Sequence, residues 1–254
     1  MSGTRQPPGA RVSRHTGRGR RAMTSIINSF KEAFLLLVRF DPEVYRIIWL
    51  TLEITAVATA IGAVIGIPIG VALAEYRFRG RHFILTIVHS LMGMPAVVVG
   101  ALGFMVLARS GPLGALKLIY DPAAMVVVQV VLAVPLIAGF THASMAGVDP
   151  RLGLQAMSLG ATRLQSIRTK MREARAGIMA ALIAGFGGVI SKVGAVMIVG
   201  GNIKGQTRVL TTDIVQQMRQ GNFELAVAEG MVLMLIVVVI TVVFTRIVER
   251  SGRA

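Results

Sequence analysis

The chain has 254 residues, of which 54% are hydrophobic, and a mean hydropathy of +0.69, which is too much apolar surface for an ordinary soluble domain and places it in a bilayer. A formal net charge of +15 invites a nucleic-acid reading, but the basic residues lie between and beside apolar runs instead of interleaving with aromatics. Loop topology and lipid headgroups account for them, so membrane lipid is an expected partner and nucleic acid is not.

With no cysteine, disulfides, thiolate metal sites and cysteine nucleophiles are excluded. The four histidines, His15, His82, His89 and His142, form no H-E-x-x-H pattern, and no metal or cofactor is expected.

Residues 1–22, MSGTRQPPGARVSRHTGRGRRA, are polar, rich in Arg, Gly and Pro, and lack an apolar h-region. They read as a disordered basic tail and not as a signal peptide, and Met23 is an alternative start. Ile26, Phe30, Phe34 and Leu37 share one helical face, so residues 23–40 read as an interfacial helix, shorter than the ~17 residues that a crossing needs.

Asp41-Pro42 opens the first expected transmembrane helix, centred on Ile47 to Ala74 and ended by the basic turn YRFRGR. The second span is expected over Phe83 to Leu107, interrupted at Met94-Pro95. The third runs over Ala123 to Ala143 after another Asp-Pro start, the fourth over Ala176 to Val199 and the fifth over Leu225 to Val248. The predicted class is therefore all-α, a polytopic membrane protein with about five transmembrane helices.

Arg77, Arg79 and Arg81, the basic loop before the fourth span, and Arg246, Arg250 and Arg253 all fall on one side under this count. That side is the expected cytoplasm, with the C-terminus inside. The six Arg of the first 22 residues violate the rule. Either that tail is not translated, or Ile26 to Phe40 crosses and makes a sixth span.

The segment Asp149 to Arg175, DPRLGLQAMSLGATRLQSIRTKMREAR, carries Lys or Arg at 151, 163, 168, 170, 172 and 175 against only Asp149 and Glu173. Asp149-Pro150 reads as an N-cap with Pro at the first helical position, and Thr162 with Gln165 as a capping box after Gly160. The prediction is a helix, a turn and a helix on the cytoplasmic face. Leu164, Ile167 and Met171 share a face suited to docking or membrane packing.

Small residues recur at helical spacing in the first span, at Gly62, Gly66 and Gly70, and crowd the fourth, at Gly185, Gly187, Gly188 and Gly194. Close helix packing is one reading and a thin wall beside a pathway the other. Pro68, Pro95 and Pro135 read as tolerated kinks or as hinges.

Leu154-Gln155-Ala156-x-x-x-Gly160-Ala161 resembles the coupling loop of ABC importer permeases, whose form is E-A-A-x-x-x-G, nine residues, then I-x-L-P. Ala156 and Gly160 match. Leu154 and Gln155 stand at the Glu and first Ala positions, Lys170 at the Ile, and Arg172-Glu173 at the Leu-Pro pair. SKVGAVMIVGGNIKGQTRVLTT from Ser191, GNFELA from Gly221, and DPEV, MGMPAVVVG and RSGPLG upstream sharpen the resemblance to the tungstate permeases of the molybdate/tungstate/sulfate oxyanion group.

The resemblance implies a permease domain over 41–250 in a bacterial or archaeal cytoplasmic membrane. It implies a homodimer with a cytoplasmic ATP-binding subunit on each coupling loop and an extracytoplasmic substrate-binding protein. Ala156, Gly160, Ala161, Leu164 and Ile167 are the expected coupling residues. The sequence contains no G-x-x-x-x-G-K-[ST] phosphate loop, so ATP hydrolysis is expected on the partner and not on this chain.

For a tetrahedral dianion, Gly200, Gly201 and Asn202 followed by Lys204, Gly205, Gln206, Thr207 and Arg208 offer backbone N–H groups, amides and two cations. An oxyanion entrance and an ordinary polar loop are the two readings. Lys192 lies within the fourth expected span, where the permeases that this chain resembles carry an acidic residue. A lysine there costs about 2.5–3.5 kcal/mol by insertion scales, so it either lines the path or pairs with Glu53 or Glu229. Within the class, molybdate or another solute is the alternative substrate. Outside it, a small ion channel would use the same small-residue helices and basic vestibule.

Overall fold

The computed structural model describes residues 42–252, with side chains through Arg246. The expected tail, the interfacial helix over 23–40 and the sixth crossing lie outside the described residues. Within them the chain is helical, with no strand: α1 Pro42–Glu75, α2 Arg81–Met92, α3 Ala96–Leu107, a 3-10 turn Gly114–Leu116, α4 Pro122–Ala146, α5 Pro150–Ser158, α6 Arg163–Glu173, α7 Arg175–Ile190, α8 Val193–Gly200, α9 Leu210–Gln220 and α10 Phe223–Gly252.

Among the described residues three helices, α1, α4 and α10, are each long and apolar enough to cross a membrane, and two bent pairs, α2 with α3 and α6 with α7, raise the number to five at most. Asp121 starts α4 as its side chain accepts from the Ala123 N–H at 2.8 Å, with Pro122 in the first turn, where a missing N–H costs nothing. Pro68 and Pro135 lie inside continuous helices.

The second expected span is not one helix. The chain turns by 100° between α2 and α3 at Gly93, Met94 and Pro95, with Pro95 extended at φ −61°, ψ 124°. Proline has no N–H to continue the ladder and disfavours helical geometry in the residue before it. Each resulting helix has 12 residues, about 18 Å at the helical rise, so neither crosses alone. The fourth expected span is likewise divided, ending as α7 at Ile190 and resuming as α8 at Val193, with Lys192 at φ −88°, ψ 83° between them.

Helix α4 is the central post. Of the residues in its most apolar stretch 56% are buried, against 33% in α1 and 17% in α10, which leaves α10 as the outermost of the three. The glycine stripe of α1 lies along α4 because no Cβ fits there. A Cβ on Gly62 would stand 2.8 Å from the Ala133 Cβ, and one on Gly70 would stand 2.5 Å from the Ala138 carbonyl oxygen. On the far side α8 closes on α3 in the same way, Gly100 facing the Ala195 Cα at 2.8 Å from its would-be Cβ. Ile54, Val99, Met125, Val128, Leu132, Ile137, Val189 and Val196 fill the space between. Packing is thus the role of Gly62, Gly66 and Gly70, whereas a Cβ on Gly187 would meet nothing within 4 Å.

The end of α1 is tied off locally. Arg81 Nε donates to the Leu73 carbonyl at 2.6 Å and its Nη2 to His142 Nε2 at 3.2 Å. This satisfies one of the last helical carbonyls and joins α1 to the end of α4.

Candidate functional site

The segment after α4 forms the helix, turn and helix read from sequence. The Arg151 N–H donates to Asp149 Oδ1 at 2.8 Å, opening α5 on Pro150. The turn that follows satisfies the last carbonyls of α5 through two backbone bonds, Ala161 N–H to the Ala156 oxygen and Gly160 N–H to the Met157 oxygen, both at 3.0 Å. This is the 6→1 and 5→2 pairing of a Schellman end, which requires a left-handed residue between the two helices. Gly160 is that residue, at φ +87°. Ala156, Gly160 and Ala161 are therefore the first acceptor, the pivot and the closing donor of one turn. Reciprocal bonds then start α6, Gln165 N–H to Thr162 Oγ1 at 3.3 Å and Thr162 N–H to Gln165 Oε1 at 2.7 Å.

The outer surface of this element is apolar at Leu154, Met157, Leu159 and Leu164, with Leu159 89% and Leu164 59% exposed. Ile167 does not share that surface. It is buried against Val71, Met145, Ala174 and Ile178, with Met171 packed beside it, so the expected common docking face of Leu164, Ile167 and Met171 is divided between outside and inside. An open hollow of about 580 Å³ lies beside the element, lined by Ser144, Asp149, Arg151, Gln155, Glu173 and Gly177 among others.

Contacts that no local reading of the sequence supplies hold the inner surface. Lys170 Nζ donates to both carboxylate oxygens of Glu75 at 3.0 Å, the Arg163 guanidinium lies 4.6 Å over the Tyr76 ring, and Ser166 Oγ donates to the Gly153 carbonyl at 3.1 Å.

The candidate anion path lies at the other end of α1. Gly200 is buried, and Gly201 and Asn202 are left-handed at φ +70° and +53°. The loop folds on itself: the Thr207 hydroxyl accepts from the Ile203 N–H at 3.0 Å and donates to the Gly200 carbonyl. The Gln206, Thr207 and Arg208 N–H groups all reach the Ile203 oxygen.

Its two cations are already paired. Lys204 Nζ lies 2.8 Å from Glu43 on an exposed rim, and Arg208 lies 3.6 Å from Asp213, whose side chain is 7% exposed. Burial pushes the Asp213 carboxyl above the ordinary carboxylate range, against the opposing pull of Arg208. Glu229 on α10 adjoins this pair, 4% exposed, with Oε2 lacking a hydrogen-bond partner among the described residues. An acid inside α10, the most apolar of the three long helices, is the signal that could have found this cluster.

Lys192 is half-buried in the break between α7 and α8 and forms no ion pair among the described residues. The expected pairing with Glu53 or Glu229 is not made: Glu53 is exposed on α1 and Glu229 lies with Asp213. The structure therefore groups Gly200, Gly201, Asn202, Lys204 and Arg208 in one loop and leaves Lys192 at the far end of α8.

Residues 66–253 match the family described as binding-protein-dependent transport system inner membrane component, and the chain belongs to that family. It is 40% identical to a tungstate uptake system permease protein of Peptoclostridium acidaminophilum, over 84% of this chain and 94% of that one. It is 37% identical to a probable anion ABC transporter permease protein of Haloferax volcanii, over 68% and 77% of the two chains. The fold is shared with an inward-facing structure of the MetNI methionine ABC transporter at a TM-score of 0.69 and 22% identity, covering 84% of this chain and 98% of that one.

Proposed function

We propose that the chain is the membrane-spanning permease of an ATP-driven importer whose substrate is tungstate. It would work as a homodimer with a cytoplasmic ATP-binding subunit on each copy and an extracytoplasmic protein delivering the anion. The observation that carries the coupling role is the Schellman-ended turn at Gly160, which presents Leu154, Met157, Leu159 and Leu164 outward from an element bound on its inner side to a span. An apolar surface of this kind, rimmed by charge, suits a protein partner. The substrate rests on similarity to the tungstate permease.

The basic turn after α1 and the basic α6 sit at the same end of the bundle, joined through Glu75–Lys170 and Tyr76–Arg163. Under the positive-inside rule this end is cytoplasmic and the C-terminus lies inside. Lys192, Gly200, Gly201, Asn202, Lys204 and Arg208 are the candidate residues of the path. The test is co-purification with the ATP-binding subunit and reconstitution with the binding protein. The chain alone is expected to show no ATPase activity, because it has no phosphate loop. The complex is expected to import radiolabelled tungstate in preference to molybdate, and robust ATP hydrolysis by the isolated chain would sink the assignment.

A further inference from the structure

We infer that Lys170 and Glu75 form a strap that delivers the motion of the coupling element directly to α1, making both of them positioning residues for transport. The inference rests on the permease reading and adds to it a route. The coupling element is joined by the chain itself to α4 on one side and α7 on the other. Helix α1 is remote in sequence, 95 residues from Lys170 to Glu75; it is packed along α4 through its glycine stripe, and the ion pair adds a direct link from the element to its end.

The direct contacts lie along one side of α6, at Arg163, Ile167, Lys170 and Met171, positions i, i+4, i+7 and i+8 of the helix. In order they meet the Tyr76 ring, the Val71 cluster, the Glu75 carboxylate and again the Val71 cluster. Both partners of the ion pair are largely shielded from water, at 17% and 13% exposure, where an ion pair is screened less than on the surface.

The neighbouring helix is cut to admit the lysine. A Cβ on Gly153 would stand 2.6 Å from Lys170 Cε, and Ser166 holds the Gly153 carbonyl from below. An apolar side chain at position 170 would pack without fixing a direction, whereas an ammonium bonded to both oxygens of one carboxylate ties a named point of α6 to the last turn of α1.

The experiment uses the full chain assembled with its ATP-binding subunit and binding protein in proteoliposomes, comparing wild type with Glu75→Gln, Lys170→Gln and the exchanged pair Glu75→Lys with Lys170→Glu. The single variants are expected to hydrolyse ATP at the wild-type rate while ATP consumed per tungstate imported rises about tenfold, within the range of site-to-site coupling energies. The exchanged pair is expected to restore the ratio at least in part.

Spin labels at exposed Arg168 on α6 and Val64 on α1 provide a reading that needs no cargo. Their separation should stay the same with and without ATP in wild type and should change or broaden in the single variants. A wild-type ratio with an unchanged distance distribution in both single variants overturns the strap. So does an exchanged pair that assembles, hydrolyses ATP and remains uncoupled. Should the singles assemble poorly, the exchanged pair and its distance reading decide alone. The permease reading fails by a different result, an unmodified complex that hydrolyses ATP and imports no oxyanion.

Discussion

Gly160 offers the cleanest perturbation, because the structure separates the two reasons a glycine can be required. Its φ is +87°, and a Cβ built there meets nothing within 4 Å. Gly160→Ala therefore pays no steric cost inside the chain and pays only the left-handed backbone cost, about 1–2 kcal/mol for an L-residue. That shifts the local turn equilibrium by about 5- to 30-fold, since 1.4 kcal/mol is tenfold.

The affected bonds are those from the Gly160 and Ala161 N–H groups to Met157 and Ala156, so the angle between α5 and α6 is what loosens. Gly160→Asn, which tolerates the left-handed region through its own side chain, should recover most of the loss. Uptake by the reconstituted complex and the yield of complex on co-purification are the assays. If Asn is as harmful as Ala, the backbone is not the reason, and close approach of the partner at Gly160 is. Gly160→Asp adds a charge to the Asn geometry, so the difference between these two variants measures the electrostatic preference of whatever docks there. Uptake and yield at the wild-type level in the Ala variant would refute the reasoning.

Gly70→Ala places a Cβ 2.5 Å from the Ala138 oxygen and 2.7 Å from the Thr141 Cβ, and overpacking of that kind costs about 1–3 kcal/mol; membrane yield and melting temperature should fall, while Gly187→Ala, with open space, should leave both unchanged. Asp213 carries a carboxyl raised above its ordinary 3.8 by burial, so the folded state binds its proton more tightly than the unfolded state does. This contribution is present below pH 3.8 and is lost as pH rises through the raised value. Thermal melts of the detergent-solubilised chain from pH 4 to 7 should show a decline that flattens in Asp213→Asn. Lys192→Met should preserve expression, since no carboxylate of the described residues is left behind unpaired, and should cut tungstate uptake severalfold if the ammonium serves the passing anion; poor expression would mean that a carboxylate outside the described contacts had been its partner.

Local chemistry was legible in the chain and distant chemistry was not. The caps at Asp121 and Asp149 and the box of Thr162 with Gln165 all depend on residues within a few positions of one another, and each forms as read. Pro95 was legible as an interruption, but the 100° of the bend is a matter of what each half packs against. Leu164 and Ile167 show the limit of face counting. Residues three apart on a helix differ by about 60° in direction, and on a helix lying against a bundle the boundary between inside and outside can pass between them. Glu75 with Lys170, Glu43 with Lys204 and Asp213 with Glu229 join segments that only the tertiary fold brings together.

The pairing of the loop cations changes what an anion would meet. Read as composition, Lys204 and Arg208 are two free positive charges; in the fold each has an acid, and the two pairs differ in kind. Lys204 and Glu43 are 67% and 44% exposed, and a surface ion pair of that sort is worth about 0–1 kcal/mol, so Lys204 can leave Glu43 for an arriving dianion at little cost. Arg208 is held with Asp213 and Glu229 where water is largely excluded, and withdrawing it would strand buried carboxyls, a far more expensive step. A cation that contacts a passing anion must be able to turn toward it, which a guanidinium held by buried carboxyls cannot do cheaply. On this argument Lys204 and Lys192, which forms no ion pair among the described residues, are the path residues free to contact the substrate, and Arg208 lines the path as part of the framework that fixes the loop against α10.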